Sequence, residues 1–164
     1  MSSFFFYGTL MSPEVIFRVI SNLHSSTELS KLKFTPAILK GYKRRQVVGA
    51  KYPAIFQSTH DLVEGMVVSG FSEDDKRLLD VYEGDQYSRH SVQVETVAQP
   101  GSKLLETPYI ASENLVVETY VWKYGSDGLS HLDWDFKEFV NKSLTKWVAS
   151  KEEFQEVDRY YNKE

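Results

Sequence analysis

The sequence contains no cysteine among its 164 residues. This absence excludes disulfide bonds, thiolate nucleophiles and zinc sites that depend on cysteine ligands. The histidines occur singly, without the paired spacing of a helical metal site: His24, His60, His90 and His131. We therefore expect neither a metal ion nor a cofactor, so that any site must depend on backbone groups and ordinary side chains.

Basic charge and long apolar runs are also lacking. The formal net charge is −4, which gives no basic footprint for nucleic acid, and the cluster Lys43-Arg44-Arg45 is expected to lie exposed on a strand. No run approaches the ~20 apolar residues that cross a bilayer, and the N-terminus does not resemble a signal peptide. These absences predict a cytoplasmic protein that binds neither nucleic acid nor a membrane.

Aromatic side chains, in contrast, are abundant, with ten Phe, ten Tyr and three Trp. Such residues fill hydrophobic cores and line ligand pockets. A chain of this length can bury a substantial core as one unit, and no repeat or linker divides it. We expect residues 1–164 to form a single domain, either a monomer or a homodimer.

The order of patterned segments predicts an α+β fold. Its sheet is expected to be mixed and strongly curved or closed, like a β-barrel, with flanking helices. A helix is predicted between Ser72, a good N-cap, and Gly84, a natural stop. Segments of strand type lie at 4–6, 36–48, 51–57, 62–71, 90–97 and 115–122.

Residues 133–162 are predicted to form a C-terminal helical extension. Aromatic and aliphatic residues recur at helical spacing between Trp134 and Val148, and Asp133 is the candidate cap of that helix. The segment 150–153, Ser-Lys-Glu-Glu, fits a capping box for a last helix.

The first residues predict a binding site for an anion. The run Phe4-Phe5-Phe6 leads into Tyr7-Gly8-Thr9-Leu10, and Ser12-Pro13 then begins a helix. A strand, a glycine turn and a helix N-terminus together point several backbone N–H groups into one small space.

Glu83 is the second feature that suggests chemistry. It follows the apolar stripe of the predicted helix and directly precedes Gly84. A carboxylate at the end of a buried stripe is partly removed from water, which raises its pKa towards values useful for proton transfer. The alternative is an exposed terminal acid, and spacing alone favours that alternative.

Taken together, these motifs resemble the gamma-glutamylcyclotransferase-like family. Tyr7-Gly8-Thr9-Leu10 is similar to its Tyr-Gly-Ser/Thr-Leu turn, and Leu79-Asp80-Val81-Tyr82-Glu83-Gly84 with Tyr87-Ser88-Arg89 is similar to its second signature. Tyr52-Pro53-Ala54-Ile55, Gly65-Met66-Val67 and Tyr120-Val121-Trp122 resemble its intervening and late strands. Trp134-Asp135-Phe136-Lys137-Glu138-Phe139 is similar to the plant-type avirulence-induced-gene-like branch, although Lys137 replaces the usual acid.

The resemblance implies an enzyme that cyclises a gamma-glutamyl group to 5-oxoproline and releases an amine or amino acid, without a cofactor. Glu83 would be the catalytic residue and would transfer protons between the substrate amine and the leaving amine. Backbone N–H groups of Gly8, Thr9 and Leu10 would hold either the α-carboxylate or the developing oxyanion.

The remaining candidates are aromatic and strand residues. Tyr7 and Tyr87 would add hydroxyl contacts or pocket walls. Tyr52 and Pro53 would shape the pocket, with edge-strand packing as the alternative, and Tyr120 would lie in the pocket or in the core. Arg89 would pair with an acid near the pocket mouth or form a surface salt bridge.

Two other functions remain open from the sequence. The same fold can serve as a non-catalytic binding module for a small anionic metabolite or a peptide end. The chain can also be a lyase that acts on another gamma-glutamyl adduct, in which case residues 100–114 and the C-terminal helices would select the leaving group.

Overall fold

A computed structural model describes residues 2–21, 29–97 and 111–162. Five strands carry the fold: β1 (Ser2–Phe6), β2 (Lys33–Gln46), β3 (Pro53–Phe71), β4 (Tyr87–Val97) and β5 (Ala111–Trp122). A 3-10 turn (Thr9–Met11) follows β1. The helices are α1 (Pro13–Ile20), α2 (Glu73–Glu83), α3 (Phe136–Lys142), α4 (Leu144–Ala149) and α5 (Gln155–Asn162).

The five strands form a closed barrel in the order β1-β3-β2-β4-β5. Strand β1 pairs antiparallel with β3 and parallel with β5, where Phe4 lies opposite Glu118. The remaining pairs are antiparallel, with the longest ladder between β2 and β3. This arrangement confirms the predicted α+β fold with a mixed, closed sheet and flanking helices.

Both faces of strand β1 are buried. Consecutive side chains of a strand point in opposite directions, and each direction leads into a different hydrophobic cluster. Phe5 and Tyr7 join a cluster of strand residues in the barrel interior, together with Ile55 and Val67. Phe4 and the last residue of β1 face the opposite way, into the core that also holds residues of α1, α2 and the C-terminal helices. The apolar run at the start of the chain therefore connects two cores, which fixes the position where β1 ends.

Two strand segments predicted separately, 51–57 and 62–71, belong to one strand. Strand β3 spans 19 residues, and its ladder with β2 includes both segments, with a register shift at residues 58–61. The prediction of two separate segments was wrong, because the polar residues between them form an irregularity within one strand and do not end it. Pro53 is the first residue of β3, a position where its missing N–H disturbs the sheet little.

The C-terminal extension, residues 133–162, is helical but differs in detail from the prediction. The helix expected from Trp134 to Val148 is divided into α3 and α4. Asp135 caps α3, because its carboxylate accepts a hydrogen bond from the Glu138 N–H at 3.1 Å. Asp133, the predicted cap, is instead paired with Arg44 at 2.9 Å.

The last helix also begins later than the capping box predicted. Turns occupy residues 151–154, and α5 starts at Gln155. The turns bring Phe154 into the core, where its ring is fully buried and stacks on Tyr82 with centroids 5.6 Å apart. In the part of the chain that is described, no helix has the length and apolar character to span a membrane.

Gly65 of β3 allows a direct test of how closely β1 packs against this strand. A Cβ atom at this position would lie 2.3 Å from the Phe6 carbonyl oxygen and 2.6 Å from the Phe5 ring, closer than atoms in proteins approach. We expect Gly65→Ala to destabilise the protein by about 3 kcal/mol, as overpacking of a core does. Urea denaturation checks this value.

The matched control is Gln57→Ala, an exposed position of the same strand. Its free energy of unfolding should stay within about 0.5 kcal/mol of the wild-type value. Equal stability of Gly65→Ala and wild type would contradict the described contact between β1 and β3.

Candidate active site

A cavity of about 140 Å³ lies where the end of β1, the start of β3, the end of α2 and the C-terminal extension meet. The nine residues predicted for the site all line it: Tyr7, Gly8, Thr9, Leu10, Tyr52, Pro53, Glu83, Tyr87 and Tyr120. The structure thus brings these residues together, while their roles stay predictions.

The turn after β1 lines this cavity with Gly8, Thr9 and Leu10. Met11 N–H donates to the Gly8 carbonyl at 2.9 Å, and Ser12 N–H donates to the Thr9 carbonyl at 3.1 Å. Within the described residues, the N–H groups of Gly8, Thr9 and Leu10 make no backbone hydrogen bond outside strands and helices. Such first-turn N–H groups are available to an anion.

Two neighbours shape this turn. Gly8 lies so close to β3 that a Cβ atom there would stand 2.9 Å from Pro53 Cγ. The next helix begins after Ser12, as predicted, but the Ser12 hydroxyl donates to the Glu14 carboxylate at 2.6 Å instead of accepting from a helical N–H. The glycine is therefore needed for close approach of the turn to β3.

Local sequence signals place Glu83 at the end of α2. The Ser72 hydroxyl accepts from the Asp75 N–H at 3.1 Å, and the Asp75 carboxylate accepts from the Ser72 N–H at 2.8 Å, which completes a capping box. The helix ends at Gly84, whose N–H donates to the Asp80 carbonyl at 3.1 Å. The helix has eleven residues, and Glu83 is the last of them, at the end that faces the cavity.

The Glu83 carboxyl group is half-buried among aromatic rings. Burial, and secondly the negative charge of Asp80, raise the pKa of Glu83 from its usual 4.5 to about 8. The alternative of an exposed terminal acid was therefore wrong. Near neutral pH this carboxyl group is largely protonated, yet it ionises within the range where general acids and bases operate.

Three of the five tyrosines that line the cavity donate their hydroxyl protons to other groups of the protein. Tyr7 donates to the Tyr120 carbonyl at 2.8 Å, and Tyr87 donates to the Pro53 carbonyl at 2.9 Å. Tyr120 donates to the Asp80 carboxylate at 2.7 Å. Burial raises the pKa of all three hydroxyls, so they remain neutral and can only accept from a ligand.

Asp80 lies one helical turn before Glu83 and is held in a network of charges. Arg89 pairs with Asp80 at 3.0 Å and with Glu118 at 3.3 Å, and Lys76 pairs with Glu118 at 3.0 Å. Arg89 thus takes the salt-bridge role that the sequence left as an alternative. The network fixes the negative charge that acts on Glu83.

Arg44 corrects a further sequence expectation. Only 14% of its side chain is exposed, whereas the basic cluster was predicted to lie exposed on a strand. Its guanidinium donates to the Tyr7 carbonyl at 2.9 Å and to the Glu64 carbonyl at 3.3 Å, and it pairs with Asp133. A side chain that touches β1, β3 and the C-terminal extension helps to fix the start of the cavity turn.

Six residues of the cavity wall were not among the predicted site residues: Phe5, Phe6, Tyr82, Gln86, Trp147 and Glu153. Trp147 Nε1 donates to the Tyr82 hydroxyl at 3.0 Å, and that hydroxyl lies 2.8 Å from Thr9 Oγ1. Partial burial and the neighbouring Glu152 raise the pKa of Glu153. Tyr82 was detectable as a neighbour of Glu83, but no local pattern links Trp147 to a turn 138 positions earlier.

No group of three His, Cys, Asp or Glu side chains arranged to hold a metal ion occurs within the described residues. The charged side chains that line the cavity are the carboxyl groups of Glu83 and Glu153. The arrangement can therefore bind an anionic oxygen at the turn and exchange a proton at Glu83.

The raised pKa of Glu83 predicts a pH-dependent cost to stability. Between pH 4.5 and about 8 the native state keeps a proton that the unfolded chain releases, so stability falls as the pH rises through this window. The variant Glu83→Gln has no ionisable group at this position, so its stability does not fall in this way. We expect the free energy of unfolding of the variant, relative to that of wild type, to increase by a few kcal/mol across that window and then to level off.

Urea denaturation of both proteins at about pH 5, 7 and 9 measures this difference. A difference that does not change with pH would mean that Glu83 ionises in the native protein as it does in the unfolded chain. That result would contradict the described desolvation of its carboxyl group.

Comparison with known proteins identifies the family. The family model described as "Gamma-glutamyl cyclotransferase, AIG2-like" matches residues 4–136. AIG2-like protein C of Arabidopsis thaliana is 31% identical over 155 residues, which cover 94% of this chain and 78% of that protein. Protein AIG2 C of the same plant is 30% identical, with 89% of this chain and 76% of that protein covered.

Solved structures show the same fold. The solution structure of an Arabidopsis thaliana protein, 26% identical, has a TM-score of 0.61 and covers 96% of this chain and 92% of its own. A second Arabidopsis solution structure, 29% identical, has a TM-score of 0.59 and covers 98% and 86%. A gamma-glutamyl cyclotransferase structure, 14% identical with a TM-score of 0.52, covers 96% and 98%. On the family match, the relatives and the shared fold, the chain belongs to the gamma-glutamyl cyclotransferase, AIG2-like family.

Proposed function

We propose that this protein is a gamma-glutamylcyclotransferase: it converts the gamma-glutamyl group of a small molecule into 5-oxoproline and releases the amine to which that group was attached. The observation that carries the proposal is the position of Glu83, half-buried with a pKa of about 8 in the cavity that Gly8, Thr9 and Leu10 also line. Membership of the family supports the same activity.

The turn provides the charge-binding half of the site. An anionic oxygen of the substrate, on the α-carboxylate or on the tetrahedral intermediate, accepts hydrogen bonds from N–H groups of Gly8, Thr9 and Leu10. These donors are fixed before the substrate arrives, because β1 is paired on both sides and Arg44 holds the Tyr7 carbonyl. Little reorganisation is then required when charge develops on the oxygen.

Glu83 provides the proton-transfer half. As a carboxylate it removes a proton from the substrate α-ammonium group. The free amine attacks the γ-carbonyl carbon, and the ring C–N bond forms. The Glu83 carboxylic acid gives its proton to the amide nitrogen as the amide C–N bond breaks, and the regenerated carboxylate takes the second proton from the ring nitrogen. That proton leaves with the released amine, which becomes an ammonium ion, so Glu83 ends the reaction as a carboxylate.

Ring closure is intramolecular, and this lowers the requirement for further catalytic groups. A substrate held between the turn and Glu83 keeps its gamma-glutamyl chain folded, with the amine near its own carbonyl.

Substitution of Glu83 tests the proposal. Glu83→Gln keeps the shape of the side chain but removes its proton transfer, so we expect turnover to fall by ~10²–10⁴-fold while the protein stays folded. The measurement is release of 5-oxoproline from gamma-glutamyl dipeptides, gamma-glutamylamines and glutathione. Glu73→Gln, an exposed acid at the opposite end of α2, is the matched control and should retain full activity.

Undiminished 5-oxoproline release by Glu83→Gln would remove Glu83 from the mechanism. If wild type releases no 5-oxoproline from any of these compounds but is protected from thermal unfolding by 5-oxoproline, the non-catalytic binding module is the correct interpretation.

A further inference from the structure

Three side chains from distant parts of the chain form a continuous hydrogen-bonded row beside the cavity. Trp147 of α4 donates through Nε1 to the Tyr82 hydroxyl oxygen at 3.0 Å, and the Tyr82 oxygen lies 2.8 Å from Thr9 Oγ1. All three line the cavity. The row joins the C-terminal extension to the turn whose N–H groups face the proposed ligand.

The direction of this row follows from the chemistry of tryptophan. An indole N–H can only donate, so the Tyr82 oxygen must accept from Trp147. Burial raises the pKa of the Tyr82 hydroxyl and keeps it protonated. Among the described residues, Thr9 Oγ1 is the second hydrogen-bond partner of this hydroxyl. Without a ligand, either direction of the Tyr82–Thr9 hydrogen bond leaves one hydroxyl proton without an acceptor in the row. When an anionic oxygen is bound beside Thr9, donation from Tyr82 to Thr9 and from Thr9 to the anion gives every proton of the row an acceptor.

Once Thr9 Oγ1 accepts from Tyr82, its own hydroxyl proton is left for another acceptor. Only 6% of Thr9 is exposed, and the residue lies on the cavity wall in the same turn as the N–H groups of Thr9 and Leu10. A hydroxyl donor beside amide donors suits an oxygen anion, because a carboxylate or oxyanion accepts several hydrogen bonds at once.

We propose that Trp147 is a positioning residue of the anion site: it orients the Tyr82 hydroxyl, so that the Thr9 hydroxyl donates its proton to the anionic oxygen of the ligand. The indole is itself held in place by ring contacts with Tyr52, at 6.2 Å between centroids, and with Phe139, at 5.7 Å. Part of the anion site is thus built by residues 133–162, outside the barrel. The inference rests on the proposed function only for its kinetic readout.

A double-mutant cycle on Trp147 and Thr9 tests this role. Thr9→Val removes the hydroxyl donor, and we expect the Kd for 5-oxoproline, and the KM for a gamma-glutamyl substrate, to rise about tenfold. Trp147→Phe frees the Tyr82 oxygen to accept from Thr9, so part of the donor capacity is lost and both constants should rise roughly three- to fivefold with kcat little changed. In the Thr9→Val background, Trp147→Phe should have no further effect on either constant.

Two further variants separate positioning from packing. Thr9→Ser keeps the hydroxyl and should bind 5-oxoproline nearly as wild type does. Trp134→Phe is the matched control, because Trp134 is also a buried residue of the extension whose Nε1 donates to a backbone carbonyl, that of Lys51, at 2.7 Å. It should lose a similar amount of thermal stability and keep the wild-type Kd.

The outcomes distinguish this inference from the proposed function, because calorimetric binding of 5-oxoproline needs no turnover. If 5-oxoproline binds with the coupled losses but no substrate is turned over, the positioning role stands and the enzymatic proposal fails. If wild type is active but Trp147→Phe raises the Kd equally in both Thr9 backgrounds, the row is merely structural and the inference is overturned. Failure of wild type to bind 5-oxoproline also overturns it.

Discussion

A carboxyl group withdrawn from water among aromatic rings is the feature on which the site depends. Burial disfavours the charged form of Glu83, and the nearby Asp80 charge adds to the effect, so the pKa rises to about 8. The same carboxyl group on the surface would be permanently ionised and a poor donor of protons at neutral pH. The raised pKa lowers the stability of the protein at high pH, and it also allows the Glu83 carboxyl group to take and return a proton near neutral pH.

Both the barrel and the helices determine the surroundings of this carboxyl group. Closure of the sheet pairs β1 with both β3 and β5, so the turn that follows has a fixed starting point. Helix α2 is held at one end by its capping box and carries Glu83 at the other. The extension then closes the cavity with Trp147 and Glu153. The site is consequently an assembly of parts that lie far apart in the sequence, each held by its own contacts.

Sequence reasoning succeeded where neighbouring residues decide the outcome. Ser72 and Gly84 mark the ends of α2 because caps act within one turn, and the apolar run Phe4-Phe5-Phe6 predicts a strand. It failed where the deciding contact is distant. Arg44 is covered only because residues of β1, β3 and the extension surround it, and Asp133 pairs with Arg44 instead of capping a helix. The place of Trp147 likewise depends on how the extension folds back.

The central claim is that one gamma-glutamyl group occupies the space between the turn and Glu83. A crystal structure with bound 5-oxoproline tests it most directly. We predict an anionic oxygen of the ligand within about 3 Å of N–H groups of Thr9 or Leu10, and the ring nitrogen within hydrogen-bond reach of the Glu83 carboxyl group. A ligand bound elsewhere, or a Glu83 side chain turned into solvent away from the turn, would contradict the account.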